Sequence, residues 1–435
     1  MPSRSGKAAE CHGQPPDPRR LAELALGRLR ALPAAAPLLA LDDPPAPVHL
    51  VGGAVRDLLL DRLPAELDLA VEGDAVAVGR ALGGKLTVHD RFGTCSVVRD
   101  GWRYDLARTR RERYPAPGAL PEVEPAGLEE DLLRRDFTVN AIALALAGTP
   151  RGRLTAAPRA LEDLACHRLR VLHKRSFEDD PTRLLRLARY AARLGFVIEP
   201  ATRALAERAV AGGALETVSG PRIGAELRLL AREPDPLGAL AALAGLGIDR
   251  ALGGLQVNEP EAVRTALKLL GEDGRADLLV LAAAAEGIPV GRLRGLLDRL
   301  AFEAGEREAI IAGATRARRL AAALADARGP TQIAQVAAGE RPELVALAGA
   351  YGGPRALDAA RDWLLRLRHV RLEISGEDLL AAGLAPGPAI GAGLRAALAA
   401  KREGRARGRE EELEVALRAA AEALAACKEP PRGSW

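Results

Sequence analysis

Extended-chain signals in this sequence are confined to one stretch, and that confinement constrains the fold more than any other feature. Between Val48 and Leu146, short runs of Thr and Val alternate with turn residues. Beyond about residue 160 the β signal fades, and Ala/Leu-rich stretches at helical spacing, split by Gly and Pro, take over. Val48–Val51, Leu67–Val71, Lys85–His89, Thr94–Arg99 and Trp102–Ala107 read as strands, with Asp100-Gly101 as a hairpin turn. The apolar run Ala141–Ala147 fits strand or helix. Pro18–Leu32, Ala54–Leu60, Asp180–Leu194, Ala201–Val210 and Arg409–Ala426 read as helices. The pattern predicts an α+β protein, a small head with a mixed sheet followed by an extended all-helical region.

A length of 435 residues suggests about three domains. Hydrophobic residues make up 48% and aromatics only 3%, so the core must be built from Leu, Ala and Val. The net charge of +4, from 62 basic and 58 acidic residues, is too mild to identify a nucleic-acid protein. Nearly all the basic residues are Arg, which suits bidentate phosphate contacts. Cys11, Cys95, Cys166 and Cys427 form no C-x-x-C pair and are expected to be free thiols, with no structural zinc. The longest uncharged run, Leu379–Leu394, is broken by two prolines and cannot span a bilayer. The reading is a soluble, cytoplasmic protein with no membrane association.

The chemistry concentrates in three segments. Residues 48–74 read VHLVGGAVRDLLLDRLPAELDLAVEGD: a strand, two glycines and a helix, a layout that lets backbone approach a phosphate. Arg56, in the first helical turn, can clamp an oxygen. Glu66 and Asp68, two apart on a predicted strand, place both carboxylates on one face, where Mg²⁺ takes oxygen ligands. Asp105, on the strand after the hairpin turn, leaves the face opposite Tyr104 and Leu106 and is a third candidate. The alternative for Asp105 is a salt bridge to Arg103 or Arg108.

Residues 133–142, LRRDFTVNAI, bring two arginines (Arg134, Arg135), an Asp and Asn140 together, with Phe137 and Val139 as anchors in the core. In the third segment, Asp180 is a good N-cap and Pro181 fits the first helical position. Arg183, Arg186, Arg189 and Arg193 then fall within a ~120° arc of the helix, with few acids to answer them. That stripe suggests a polyanion, or else a solvated face; Asp179 stands four residues before Arg183 and can orient it. His89-Asp90 lacks the further ligands of a metal phosphohydrolase, so His89 reads as structural.

Taken in order, LVGGAVRDLLL, ELDLAVEGD, DRFGTCSVV, YDLARTRRERYPAPGALPEVE, LEEDLLRRDFTVNAIA, FEDDPTRLLRLARYAARLGF and SGPRIGAEL resemble the class II tRNA nucleotidyltransferase and bacterial poly(A) polymerase family over about residues 48–230. ISGEDLLAAGLAPGPAIGAGLRAAL, residues 374–398, is similar to the tail of its longer members. Residues 1–17 are polar and Pro-rich and read as disordered, so 1–45 is a partly disordered N-terminal extension with one helix. The resemblance implies a catalytic head at 46–165, a helical base-reading neck at 166–250, and a helical tRNA-binding body and tail at 251–435.

It implies that Gly52, Gly53, Arg56 and Asp57 serve phosphate binding and local structure. Glu66 and Asp68 would be ligands of two Mg²⁺ ions. Arg134, Arg135 and Asn140 would bind triphosphate and sugar; Asp180 and Arg183, with Asp179 and the stripe residue Arg186, would read the base. Arg222 and Glu226 would support that pocket. Two positions depart from the family: Glu66 stands where Asp is usual, and Asp179 where Glu is frequent. The implied activity adds CMP and/or AMP, from CTP and/or ATP, to the acceptor end of tRNA, with no protein partner implied. A poly(A) polymerase on RNA 3′ ends, or a catalytically weak RNA-binding protein, are the alternatives. The segment between Tyr114 and Asp136 lies where the family has a flexible loop and is less basic than in many full CCA-adding members. The loop at Pro386–Pro388 is either a turn between helices or a source of amides for RNA phosphates.

Overall fold

A computed structural model describes residues 17–64, 66–89, 93–148 and 150–426, which form two compact units divided between Leu252 and Gly253. The expected disorder before residue 17, and Cys11, Cys427 and Asp90, lie outside the described residues.

The first unit is built on a seven-stranded mixed sheet. Its strands are β1 (Val48–Val51), β2 (Leu67–Val71), β3 (Lys85–His89), β4 (Thr94–Arg99), β5 (Trp102–Arg108), β8 (Ile142–Ala147) and β9 (Leu154–Ala156), in the order β3-β4-β5-β2-β1-β8-β9. A separate hairpin pairs β6 (Arg110–Arg113) with β7 (Glu122–Pro125), and β7 falls within the segment between Tyr114 and Asp136 where a loop was expected. Within the large sheet only β2 and β5 pair in parallel, with Asp68 beside Asp105. Across the antiparallel neighbours Thr87 faces Ser96 and Ser96 faces Asp105, so one polar row crosses β3, β4, β5 and β2. Asp100 and Gly101, at φ 52° and 81°, make the expected tight turn.

The ambiguous run 142–147 is strand β8, buried along its whole length. With both faces covered it carries no alternation, which is why periodicity could not decide it. Phe137 and Val139 are fully buried, as expected of anchors. The helix Pro18–Arg30 covers part of this unit: Arg28 donates to the Leu58 carbonyl at 2.6 Å. From the face opposite Asp105, Tyr104 donates to the Ala34 carbonyl at 2.8 Å.

Residues 166–250 depart from the expectation of an all-helical element. Their helices Thr182–Leu194, Pro200–Ala211 and Gly220–Ala231 accompany a two-residue parallel ladder, β10 (Arg168–Leu169) with β11 (Val197–Ile198). Two residues are too few for a strand signal in sequence.

The second unit contains only helices among its described residues, from Pro260–Leu269 to Gly408–Ala426. Its longest, Ala304–Asp326, opens with a capping box between Glu303 and Glu306. Scarce aromatics are answered by close helix approach; a Cβ on Gly313 would lie 2.6 Å from the Cβ of Ala282. Gly387, at Pro386–Pro388, caps the start of Pro388–Arg402. No described helix is long and apolar enough to cross a membrane. Cys95 is a buried free thiol, whereas Cys166 is not free, correcting the expectation for it; separation in sequence does not prevent contact in the fold.

Candidate functional site

Three carboxylates gather at the exposed end of β2. β2 begins at Leu67, so Glu66 lies just before the strand and is solvent-exposed, while Asp68 sits in it beside Asp105. Asp68 also keeps an exposed surface, but the protein massed around its carboxyl desolvates it and raises it, and the charges of Glu66 and Asp105 raise it further against the opposing pull of Arg135. Burial would also raise Asp105, but hydrogen bonds from Arg103 and Ser96 outweigh it and hold that carboxyl below its usual range. Ser96 donates to Asp105 at 2.5 Å, and Arg103 pairs with it at 2.9 Å. The salt bridge weighed for Asp105 therefore exists, and it leaves the carboxylate ionised at the site.

Crowded carboxylate oxygens fit a hard divalent cation, which would relieve the repulsion felt at Asp68. Among the described residues no three acid, His or Cys side chains converge as a complete ligand set. A Mg²⁺ ion here would need phosphate oxygens and water as well, its ordinary habit.

Two cavities meet at Asp68, Arg134 and Arg135. The sheet-side cavity, about 330 Å³, lies over β3–β5 and includes His89, Ser96, Arg103 and Asp105 in its wall. The neck-side cavity, about 320 Å³, is walled by Gly52, Gly53, Asn140, Asp180, Arg183 and Arg186, with Glu112, Tyr114, Asp136 and Tyr190 completing it. Gly52 has φ +70°, and a Cβ there would stand 2.9 Å from Nη1 of Arg135. The positive φ is what calls for glycine here, and a side chain would also push the Arg135 guanidinium aside.

The site arginines are held by buried acids. Asp131, 1% exposed, accepts from Arg134 at 2.7 Å and from Arg135 at 3.0 Å, and its carboxyl stays low because the two guanidiniums outweigh burial. Glu112 accepts from Arg134 at 2.8 Å and from the Tyr114 hydroxyl at 3.0 Å. Asp136 accepts from Arg186 at 2.6 Å and from Asn140 at 3.0 Å. Burial would raise Asp136, yet Arg186 and Asn140 pull its carboxyl down to about 2.

Several expected roles look different in place. Arg56 is 2% exposed and lines neither cavity; it donates to Asn140 at 2.6 Å, pairs with Asp57 at 2.7 Å and lies over the Tyr190 ring. Arg56 and Asp57 thus brace local structure. Asp179 does not orient Arg183: it pairs with Arg175 at 3.4 Å, while Arg183 donates to Ser176 and to the Arg134 carbonyl, both at 2.7 Å. The reason is a break in the helix. Ser176–Asp179 is a separate turn, Asp180 is extended, and the long helix starts at Thr182, so 179 and 183 are not one turn apart. Asp180 still accepts from the Thr182 N–H at 3.1 Å and receives Arg222 at 2.8 Å.

The arginine stripe is answered after all. Arg186 reaches Asp136 and Glu226, Arg189 reaches Glu226 and Glu233, and Arg193 reaches Glu233. These acids lie about 40 to 50 residues away along the chain, on other elements, beyond any helical-spacing argument. Asp131, by contrast, was readable, since it stands three and four residues before its arginines. Tyr190 had no such signal; guanidiniums of Arg56, Arg186 and Arg189 surround its ring at 5.0–5.5 Å.

Comparison with known proteins agrees with this geometry. Residues 48–170 match the poly A polymerase head domain. The chain is 38% identical over 273 residues to the CC-adding tRNA nucleotidyltransferase of Deinococcus radiodurans, covering 62% of this chain and 70% of that protein. It is 38% identical over 286 residues to the A-adding tRNA nucleotidyltransferase of Geobacter sulfurreducens, covering 62% of this chain but only 32% of that protein, so the match spans about a third of that relative's length. The Thermotoga maritima CCA-adding enzyme complexed with tRNA superposes with a TM-score of 0.68 and 28% identity, covering 95% of this chain and 97% of that one. The chain belongs to the class II tRNA nucleotidyltransferase and poly(A) polymerase head family.

Proposed function

We propose that this chain adds CMP and/or AMP to the 3′ end of tRNA without a template, using CTP and/or ATP and releasing pyrophosphate, as a cytoplasmic enzyme. The observation that carries this reading is the junction at Asp68, where a carboxylate cluster adjoins a cavity walled by arginines and Asn140. Both A-adding and CC-adding relatives stand at the same identity, so the donor nucleotide is left to the test.

Arg134 and Arg135, braced by Asp131, would hold the triphosphate, and Asn140, braced by Asp136 and Arg56, the sugar. Arg183 and Asp180, fixed by Ser176 and Arg222, would present donors and acceptors to the base, so that a base with the wrong edge leaves them unpaired. Asp68, with Asp105 and Glu66 beside it, would hold Mg²⁺, which activates the acceptor hydroxyl and neutralises the leaving group when bound. The acceptor 3′-oxygen bonds to the α-phosphorus, the bond from that phosphorus to the α–β bridging oxygen breaks, the hydroxyl proton passes to water and pyrophosphate departs.

The test supplies Mg²⁺, CTP or ATP, and tRNAs ending before CCA, after C and after CC. Incorporation limited to the CCA sequence supports the proposal. No incorporation with any pair overturns it, and a long A tract on unrelated RNA makes the chain a poly(A) polymerase. Arg183→Ala should narrow the preference for the correct nucleotide over GTP and UTP by about tenfold or more in kcat/KM; unchanged selectivity would move base reading elsewhere.

A further inference from the structure

The neck-side cavity accounts for the nucleotide, but the sheet-side cavity of about 330 Å³ has no occupant in that reading. The two share Asp68, Arg134 and Arg135. In an in-line displacement the attacking and leaving oxygens stand on opposite sides of the phosphorus. With the triphosphate on the neck side and the reacting phosphorus at Asp68, the attacking hydroxyl must arrive from the sheet side.

We propose that Arg103, in the wall of this sheet-side cavity, binds the phosphodiester of the 3′-terminal nucleotide of the acceptor RNA. The inference rests on the nucleotidyl-transfer reading above. Arg103 is built for the task. Its Nε and Nη2 are anchored on Asp105 at 3.1 and 2.9 Å, and Nη2 also donates to Ser96 at 3.1 Å. Its Nη1 donates to no described residue, and the side chain is 64% exposed. One edge of the guanidinium is therefore pinned, and the other is presented to solvent beside the carboxylate that would meet the 3′-hydroxyl. A pinned, planar donor pair loses little freedom when it meets a phosphate. In register on the same sheet face, Asp68, Asp105 and Ser96 form the floor.

The test compares wild type with Arg103→Gln and Arg103→Lys on a tRNA minihelix whose single-stranded acceptor end limits other contacts. Arg103→Gln should raise the KM for the minihelix about tenfold, the value of one charge-assisted hydrogen bond. The KM for the nucleotide should not change. The dependence of log affinity for the minihelix on log salt should become shallower by about 0.7, one phosphate contact to a single strand. Arg103→Lys should recover most of the salt slope. A fall in kcat with both KM values and the salt slope unchanged would reduce Arg103 to a support for Asp105 and overturn the proposal. A weakened nucleotide KM would assign it to the neck-side cavity, also overturning it. A wild type that extends no acceptor defeats the transfer reading itself, which is distinguishable because it needs no variant.

Discussion

Asp68 on β2 and the arginines of the helix Thr182–Leu194 both stand in crowded charge, but the fold treats them oppositely. Each arginine along the neck helix meets acceptors, with Glu226 and Glu233 alone serving three of them. At Asp68, by contrast, desolvation and the like charges of Glu66 and Asp105 together push the carboxyl up against the pull of Arg135. Balanced charge in a buried setting holds structure in place. Charge left unbalanced at the mouth of a cavity is kept for something the chain does not itself supply. Arg186, Arg189 and Arg193 therefore act less as a polyanion-binding face than as a brace between their helix and the segment that carries Glu226 and Glu233.

Removing the unbalanced charge should have the largest effect. Asp68→Asn should cut incorporation by on the order of 10³-fold or more, since metal assistance is worth several kcal/mol. Binding of tRNA, measured by filter retention, should persist. Turnover of this variant at close to the wild-type rate would remove the metal role from Asp68.

Removing balanced charge should instead show in stability. Glu233 is 4% exposed and receives Arg189 and Arg193, so Glu233→Gln leaves two guanidiniums underpaired. It should cost about 3 kcal/mol in urea unfolding of the first unit, with little loss of kcat at a permissive temperature. A large loss of kcat in a fully folded variant would break the division between brace and site.

Asp136 provides the smallest and most specific probe. Its carboxyl, at about 2 in the folded chain against an ordinary 3.8, favours the folded state above about pH 4. That contribution, about 2 kcal/mol, is lost as pH falls from about 4 toward 2. The acid limb of the stability curve should therefore flatten in Asp136→Asn, and an unchanged limb would mean that Arg186 does not stabilise the carboxylate.

Much of the site could be read without coordinates. The strand–Gly-Gly–helix entry, the placement of Asp68 and Asp105 on strands, and the core anchors Phe137 and Val139 all depend on local patterns of two to four residues, which chain geometry makes legible. The helix Thr182–Leu194 was legible in content but not in detail, because the extended backbone at Asp180 broke the spacing between Asp179 and Arg183. Glu112, on β6, and Tyr114, just after it, escaped notice because their short hairpin strand carries no apolar alternation that would mark it in sequence.

By itself the sequence determined where strands end and helices take over, and which acids and arginines were available for chemistry, since both follow from side-chain periodicity and residue type. Only the tertiary structure decided how those charges were shared. Whether a carboxylate meets an arginine, another carboxylate or open space depends on which elements pack together, and an ion pair acts across a few ångströms whatever the distance along the chain. That is why Glu233 could silence half of the arginine stripe from 40 residues away while Asp68, two residues from Glu66, was left without a partner of opposite charge close enough to offset the repulsion.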